Sequence, residues 1–302
     1  MAELSVMALW SALVSAGVST LCLVVTLIWS GAGRELSPSL VVQDGAVVAI
    51  PGGTPGLPRP SREAVITLGQ FLSRATVVLL TAALVARGLA EGHAPWADFG
   101  GFLVAFADGA LIYYVVVQRQ YRHPALGAFL LPLVLAMLVA GAVFFTRTSV
   151  SLVPALQDEW LLVAHVGVMI LAYGALTLSF SAALIYLVQG THGRFARLPA
   201  PAVLDQLAYR SVVAGFPLLT LGIAIGAYWA DLAWGAYWSW DPKESASLAT
   251  WLAYGFCLHV HARRSWRGTP FAVMLLVAYG AVLFTYVGVN LIPAGLHSYG
   301  GA

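Results

Sequence analysis

Seven histidines and one tryptophan-rich stretch are the residues of this chain whose chemistry goes beyond packing. The stretch, WADLAWGAYWSWDPKESASLATW (229–251), holds five of the ten tryptophans, three acids and the single lysine. Its second half, Asp241-Pro242-Lys243-Glu244, is a helix-start signal. Asp241 fits the N-cap, Pro242 the first helical position and Glu244 the third position of a capping box. These acids therefore need no catalytic role. The first half places Tyr228, Trp229, Trp234, Tyr237, Trp238 and Trp240 within 13 residues. Two readings fit so many rings. They form an interfacial belt at headgroup level, or a planar apolar platform for a flat ligand such as a porphyrin. A belt would spread over many helix ends, and the other outer ends are poorer in rings. Gly235, inside the cluster, allows close backbone approach.

Histidine is costly in lipid, so each one needs a reason. His123, His192 and His261 lie beside arginines at helix edges, where a solvated or headgroup-facing role is expected. His93 lies in an opposite-side loop. His165 falls about five residues into an apolar run, roughly 7–8 Å below its outer end. His297 follows the last apolar run by a few residues on that same side. These two can flank the tryptophan-rich loop, and neutral imidazole is the usual axial ligand of haem iron. His259 is about 15 residues beyond Glu244, roughly 22 Å deeper along one helix. It is either an edge histidine or a separate ligand. His261 is about 200° further round that helix, so the two cannot face one ligand. No histidine pair stands at i,i+4, which argues against a metalloprotease-like zinc site. Cys22 and Cys257 form no CxxC or CxxCH, which removes dithiol redox chemistry and c-type haem attachment. Both read as small buried hydrophobes.

The elements that position these residues are membrane helices. The chain has 302 residues, 60% hydrophobic and 9% charged, with mean hydropathy +0.84. Soluble domains carry roughly 25% charged residues, so this chain is a polytopic membrane protein. A net charge of +2 gives no case for nucleic acid. Eight apolar runs are long enough to span, near 4–29, 63–89, 100–117, 124–145, 160–188, 207–229, 243–260 and 270–292. The fold expected is an all-α bundle of about eight transmembrane helices. Residues 1–30 form the first helix, 31–62 a cytoplasmic Gly/Pro-rich linker and 63–302 the main membrane domain. Within the linker, Asp44-Gly45 between short apolar runs suggests a small hairpin. Arg34, Arg59, Arg62, Arg119, Arg122, Arg194, Arg197, Arg263, Arg264 and Arg267 all fall in alternate connections. The positive-inside rule puts those connections in the cytoplasm, and both termini and the tryptophan-rich loop outside.

WGAYWSWDPKE (234–244) resembles the tryptophan-rich WWD signature of the haem-handling proteins of cytochrome c maturation. The continuation DPKESASLATWLAYGFCLH (241–259) is closer to the CcsA branch of System II than to the CcmC branch, and the chain is much shorter than CcmF, which has a related segment. GHAPWADFG (92–100), LVPALQDEWLLVAHVGVM (152–169), LDQLAYRSVVAGFPLLTLGIAIGAYWA (204–230) and GVNLIPAGLHSYG (288–300) agree in order. The resemblance covers roughly residue 64 onward and implies the following. Haem b, held non-covalently as a transported substrate, meets His165 and His297 at an external site walled by Trp229, Trp234, Tyr237, Trp238, Trp240 and Asp241. His259 belongs to a second, transmembrane site near the cytoplasm. A CcsB/ResB-like membrane protein is the partner, and apocytochrome c with CxxCH the acceptor. Other proteins keep its thiols reduced. The location is the bacterial inner membrane, and the complex is a holocytochrome c synthase, or haem lyase. The loop after the second helix departs from a GHxPxSNxYES-like pattern, with Asp98 and Gly101 instead, which leaves His93 outside the core site. Other classes remain: a HemX-like assembly protein, a b-type cytochrome subunit of a quinone oxidoreductase, and a solute permease.

Overall fold

The computed structural model describes residues 1–28, 39–43, 46–50, 61–96, 98–121, 123–144 and 159–289. Its helices are α1 (Ala2–Ile28), α2 (Arg62–Glu91), α3 (Phe99–Gln118), α4 (Pro124–Phe144), α5 (Glu159–Gln189), α6 (Pro201–Trp234), α7 (Pro242–His261) and α8 (Thr269–Leu283). A π-helical turn, Phe284–Gly288, continues α8. Seven of these are long and apolar enough to cross a membrane. The remaining one is α7, whose Ser, Thr, Lys, Glu and His content lowers its hydropathy. Within the 31–62 linker, β1 (Ser39–Gln43) and β2 (Ala46–Ile50) pair antiparallel with Gln43 opposite Ala46. Asp44 and Gly45 themselves lie outside the described residues.

In a membrane, helices associate by close approach and by internal polar contacts rather than by hydrophobic exclusion. Both devices are present. Gly109 and Gly174 let α3 and α5 meet backbone to backbone: a methyl on Gly174 would lie 2.5 Å from the Gly109 carbonyl oxygen. Between α1 and α2 the contact is a hydroxyl ladder. Thr76 Oγ1 donates to Ser15 Oγ at 3.0 Å, Ser19 and Ser73 hydroxyls meet at 2.9 Å, and Ser19 Oγ donates to the Gly69 carbonyl at 2.7 Å. A second polar layer lies between α5, α7 and α8, where Thr177 meets Tyr279 at 3.0 Å and Thr250 meets Thr285 at 3.1 Å.

The arginine-rich connections gather at one end of the bundle. Arg62 Nε donates to the Thr26 carbonyl and Arg197 Nη1 to that of Leu27. Arg210 Nη1 donates to Tyr121 Oη. Asp205 at the start of α6 binds both His261 Nε2, at 3.1 Å, and the Gly268 amide, at 2.8 Å. Helix α1 therefore starts, and α8 ends, at the opposite end.

Two of the three edge histidines are more than solvated side chains. His261 is 7% exposed, stacked on Tyr209 at 4.0 Å and flanked by Phe271. The expected headgroup-facing role gives way to a buried clamp, because Asp205 supplies a charged acceptor that no nearby sequence position announces. His192 is exposed, as expected. His123 stands directly before α4, and its Nδ1 accepts the Ala125 amide at 3.2 Å. An accepting Nδ1 requires the neutral ring, and burial, aided by the nearby Arg62 charge, holds the His123 pKa below its ordinary value. Stability from this cap is complete above the ordinary histidine pKa of about 6.5 and is lost as pH falls from there through the lowered value. Acidifying detergent-solubilised protein from pH 7.5 to 5 should lower its melting temperature by an amount corresponding to about 1 kcal/mol. His123→Asn, which caps without titrating, should remove that part of the slope. An unchanged slope would show that the cap does not titrate.

Candidate functional site

Helices α5 and α6 are packed closely, and Gly215, Gly222 and Gly226 of α6 face α5 at points where an added methyl would clash. A methyl on Gly222 would lie 2.4 Å from Met169 Sδ, and one on Gly226 would lie 2.6 Å from His165 Cε1. The His165 ring thus lies directly against α6. Its Nδ1 is 2.8 Å from the Gly222 carbonyl oxygen. A carbonyl only accepts, so Nδ1 carries the proton and the ring lone pair is on Nε2. This is the state in which histidines ligate metal, with the second nitrogen anchored to the protein.

Helix α6 runs on to Trp234, past the sequence-predicted end near 229, and Gly235 closes it at φ 75° with its amide bonded to the Asp231 carbonyl. Gly235 is thus a left-handed cap, and open space surrounds its α-carbon. The six rings divide into two groups. Trp229 is 3% exposed and packs on Leu161 and Leu162, edge-on to Trp234 at 4.8 Å. Tyr228, Tyr237 and Trp240 are 48%, 58% and 70% exposed, and Trp238 meets Trp240 edge-on at 6.0 Å. The hydrogen bond between the Tyr237 hydroxyl and Asp231, reinforced by that carboxylate's charge, raises the phenol pKa above its ordinary value.

Trp240 has φ 60°, the sole positive value for a non-glycine among the described residues. The first turn of α7 holds it there. Asp241 caps the helix, accepting the Lys243 amide at 2.8 Å. Glu244 accepts the Ser239 amide at 2.8 Å and the Asp241 amide at 3.2 Å, one on each side of Trp240. Ser245 Oγ donates to the Trp240 carbonyl at 3.2 Å. The capping box expected from the sequence is present, and it also fixes the loop. A non-glycine held in this region costs roughly 1–3 kcal/mol and persists only when its surroundings over-determine it. Lys243 Nζ sits 5.6 Å over the Phe102 ring, which joins this turn to α3.

His259 is exposed on the outer face of α7. It borders a groove of about 520 Å³ between α6 and α7, lined also by Phe216, Trp251, Leu252, Gly255 and Phe256. Trp251 stacks on Phe216 at 5.4 Å and donates to Thr220 Oγ1 at 2.9 Å, which closes the groove's inner wall. Asp205 and His261 anchor the same helix two residues further on. His165 and His259 therefore lie toward opposite ends of the bundle. His297 lies outside the described residues. His93 is turned inward, with Nδ1 3.0 Å from the Ala94 carbonyl oxygen. The sequence offered no sign of the Gly222 carbonyl or of Asp205, since each lies more than 50 residues from its histidine.

The profile of the Cytochrome C assembly protein family matches residues 96–297. The chain belongs to this family. It is 34% identical over 271 residues to Cytochrome c biogenesis protein CcsA of Prochlorococcus marinus (strain NATL1A), a match covering 76% of this chain and 84% of that one. CcsA of Synechococcus sp. (strain RCC307) is 35% identical over 81% of this chain and 88% of its own length. CcsA of the alga Chlamydomonas reinhardtii is 36% identical over 78% and 69%. Among solved structures, Cytochrome c Heme Lyase CcmF superposes with a TM-score of 0.60 at 19% identity over 95% of this chain. The alignment covers 46% of CcmF, so the chain spans about half the length of that protein, and the likeness is one of fold.

Replacing Glu244 with Ala removes the acceptor from both amides that bracket Trp240. Amide hydrogen exchange across residues 237–241 should accelerate at least tenfold, while the interior of α7 stays protected. Unchanged exchange in the loop would mean that the ring geometry is held by something other than this carboxylate.

Proposed function

We propose that this chain acts in cytochrome c maturation, receiving haem b within the membrane and presenting it at the outer face for covalent attachment to the CxxCH of apocytochrome c. Family membership and relatives named for cytochrome c biogenesis support the pathway. The observation that carries the site reading is His165. Its Nδ1 is anchored on a main-chain carbonyl, which puts the ligating lone pair on Nε2. His297 supplies the opposite axial ligand, and Tyr237, Trp238 and Trp240 the ring platform, with Trp229 and Trp234 supporting it from α6. His259 is the ligand of a second, earlier site on the membrane-facing groove. Its second ligand comes from a CcsB/ResB-like partner.

The residues of this chain perform positioning rather than proton transfer. In the attachment step each apocytochrome thiol adds across one vinyl group. The S–H bond and the vinyl π bond are replaced by one C–S and one C–H bond, with no net oxidation. What the protein supplies is a fixed ring plane and a controlled iron coordination. The arginine-rich end is cytoplasmic in this reading, and the rings face outward. Alkaline phosphatase fused after Trp238 should be active and fused after Arg197 silent. The inverse pattern would overturn the orientation.

With the partner and a reporter apocytochrome co-expressed, His165→Ala or His297→Ala should lower holocytochrome yield at least tenfold, and added imidazole should restore part of it. Gly226→Ala, which adds a methyl 2.6 Å from the His165 ring, should shift the haem spectrum without removing the ligand. His259→Ala should empty the outer site as well. Maturation that survives in the His165/His297 double variant would sink the ligand assignment.

A further inference from the structure

At the arginine-rich end, the α5–α6 connection is a constructed loop rather than a slack one. Gln189, 2% exposed at the end of α5, organises it from within. Its Nε2 donates to the carbonyls of Phe195 and Pro199 at 3.0 and 3.2 Å, and its Oε1 accepts the Phe195 amide at 2.8 Å. The Arg194 amide returns to the Gln189 carbonyl at 2.7 Å. Gly190 and Gly193, at φ 68° and 72°, supply the two reversals this wrapping needs. The loop thereby holds Arg194, Phe195 and Arg197 at fixed places.

These residues rim a depression of about 540 Å³ whose floor is Leu27 of α1, Phe129 of α4, Val188 of α5 and Leu198. The floor is hydrocarbon and the rim is cationic. Arg197 spends Nη1 on the carbonyls of Leu27 and Ile28, the exposed negative end of α1. Arg194 has no acidic partner among the described residues, and its side chain is exposed. Beside the depression the surface stays apolar, with Ile28 71% and Phe195 46% exposed.

We infer that this depression binds one anionic phospholipid, its phosphate against Arg194 and Arg197 and one acyl chain along Leu27, Phe129, Val188 and Leu198. A soluble anion would satisfy the guanidinium groups and leave the hydrocarbon floor exposed. A zwitterionic lipid would cover the floor but bring a second positive charge to the rim. The bound lipid ties the end of α1 to the α5–α6 loop, which share no covalent neighbour. This inference is independent of the haem reading, since none of its residues belongs to that site.

The test uses delipidated full-length protein titrated with phosphatidylglycerol or phosphatidylcholine of identical acyl chains and read by native mass spectrometry. One phosphatidylglycerol should be retained well beyond phosphatidylcholine. Arg194→Gln should weaken that binding about fivefold, the loss expected for one arginine at an anionic surface. Arg264→Gln, at the same end but outside the depression, should leave it within twofold. Arg194→Gln touches no structural hydrogen bond among the described residues, so an unchanged melting temperature separates lost binding from lost fold. A photoreactive phenylalanine analogue at 195 should cross-link the lipid. Equal losses in the two arginine variants would reduce the site to general surface charge and overturn it. Glycerol phosphate competing as well as the lipid would overturn the acyl-chain contact. Cross-linking of haem b in preference to phosphatidylglycerol would overturn the ligand class.

Discussion

At Gly222 and Gly226 a single added carbon would run into α5, in one case into the ring of His165. That close approach is the constraint from which the ring-bearing end of the bundle follows. It brings a main-chain carbonyl of α6 within 2.8 Å of an imidazole on α5, and so decides which ring nitrogen carries the proton. A carbonyl inside a regular helix is already engaged with its own i+4 amide, but its second lone pair is available to a donor from outside. The helix needs no break to make this contact. It needs only the absence of side chains on one stripe, which the GIAIG run (222–226) provides. From the same helix, one to three turns later, Trp229 and Trp234 close over Leu161 and Leu162, so the packing that orients the histidine also braces the base of the ring cluster.

The other half of the ring-bearing end is governed from α7. One carboxylate, Glu244, collects the amides on both sides of Trp240, and that residue is forced into the left-handed region as a result. A capping box ordinarily ends the account of a helix start. Here it also sets the direction of a large, exposed ring. The bonds of the Asp241–Glu244 pair thus reach past the helix start to the ring they hold in place.

Much of this architecture could be read from the chain itself. Apolar runs bounded the helices to within a few residues at most ends, and Asp-Pro-Lys-Glu announced the start of α7 down to the roles of its acids. Local chemistry of this kind depends on neighbours a few residues away. Features that depend on distant partners were not legible. Helix α6 outlasts its apolar run because Gly235, not a change in hydropathy, stops it. His261 was expected at the headgroups because only arginines adjoin it in sequence, whereas Asp205 and Tyr209 adjoin it in space. The division of the six rings into a pair packed on α5, with Trp229 buried, and a more open group also needed the α5–α6 contact to be known. Interior hydroxyls such as Thr177 and Thr250 looked neutral in the sequence, yet they carry the contacts between helices that share no hydrophobic driving force.

The groove beside His259 has a consequence for how binding there is to be counted. Leu252 and Phe256, two turns and one turn before the histidine, are 55% and 53% exposed, so the wall that carries the imidazole looks outward from the bundle. In the proposed second site, a ligand of that imidazole arrives from the hydrocarbon phase by diffusion in two dimensions. Its effective concentration is a mole fraction in lipid, fixed by partitioning, and the volume of the surrounding water hardly enters. Occupancy should then follow the ratio of ligand to lipid, and any detergent micelle becomes a competitor in proportion to its own apolar volume.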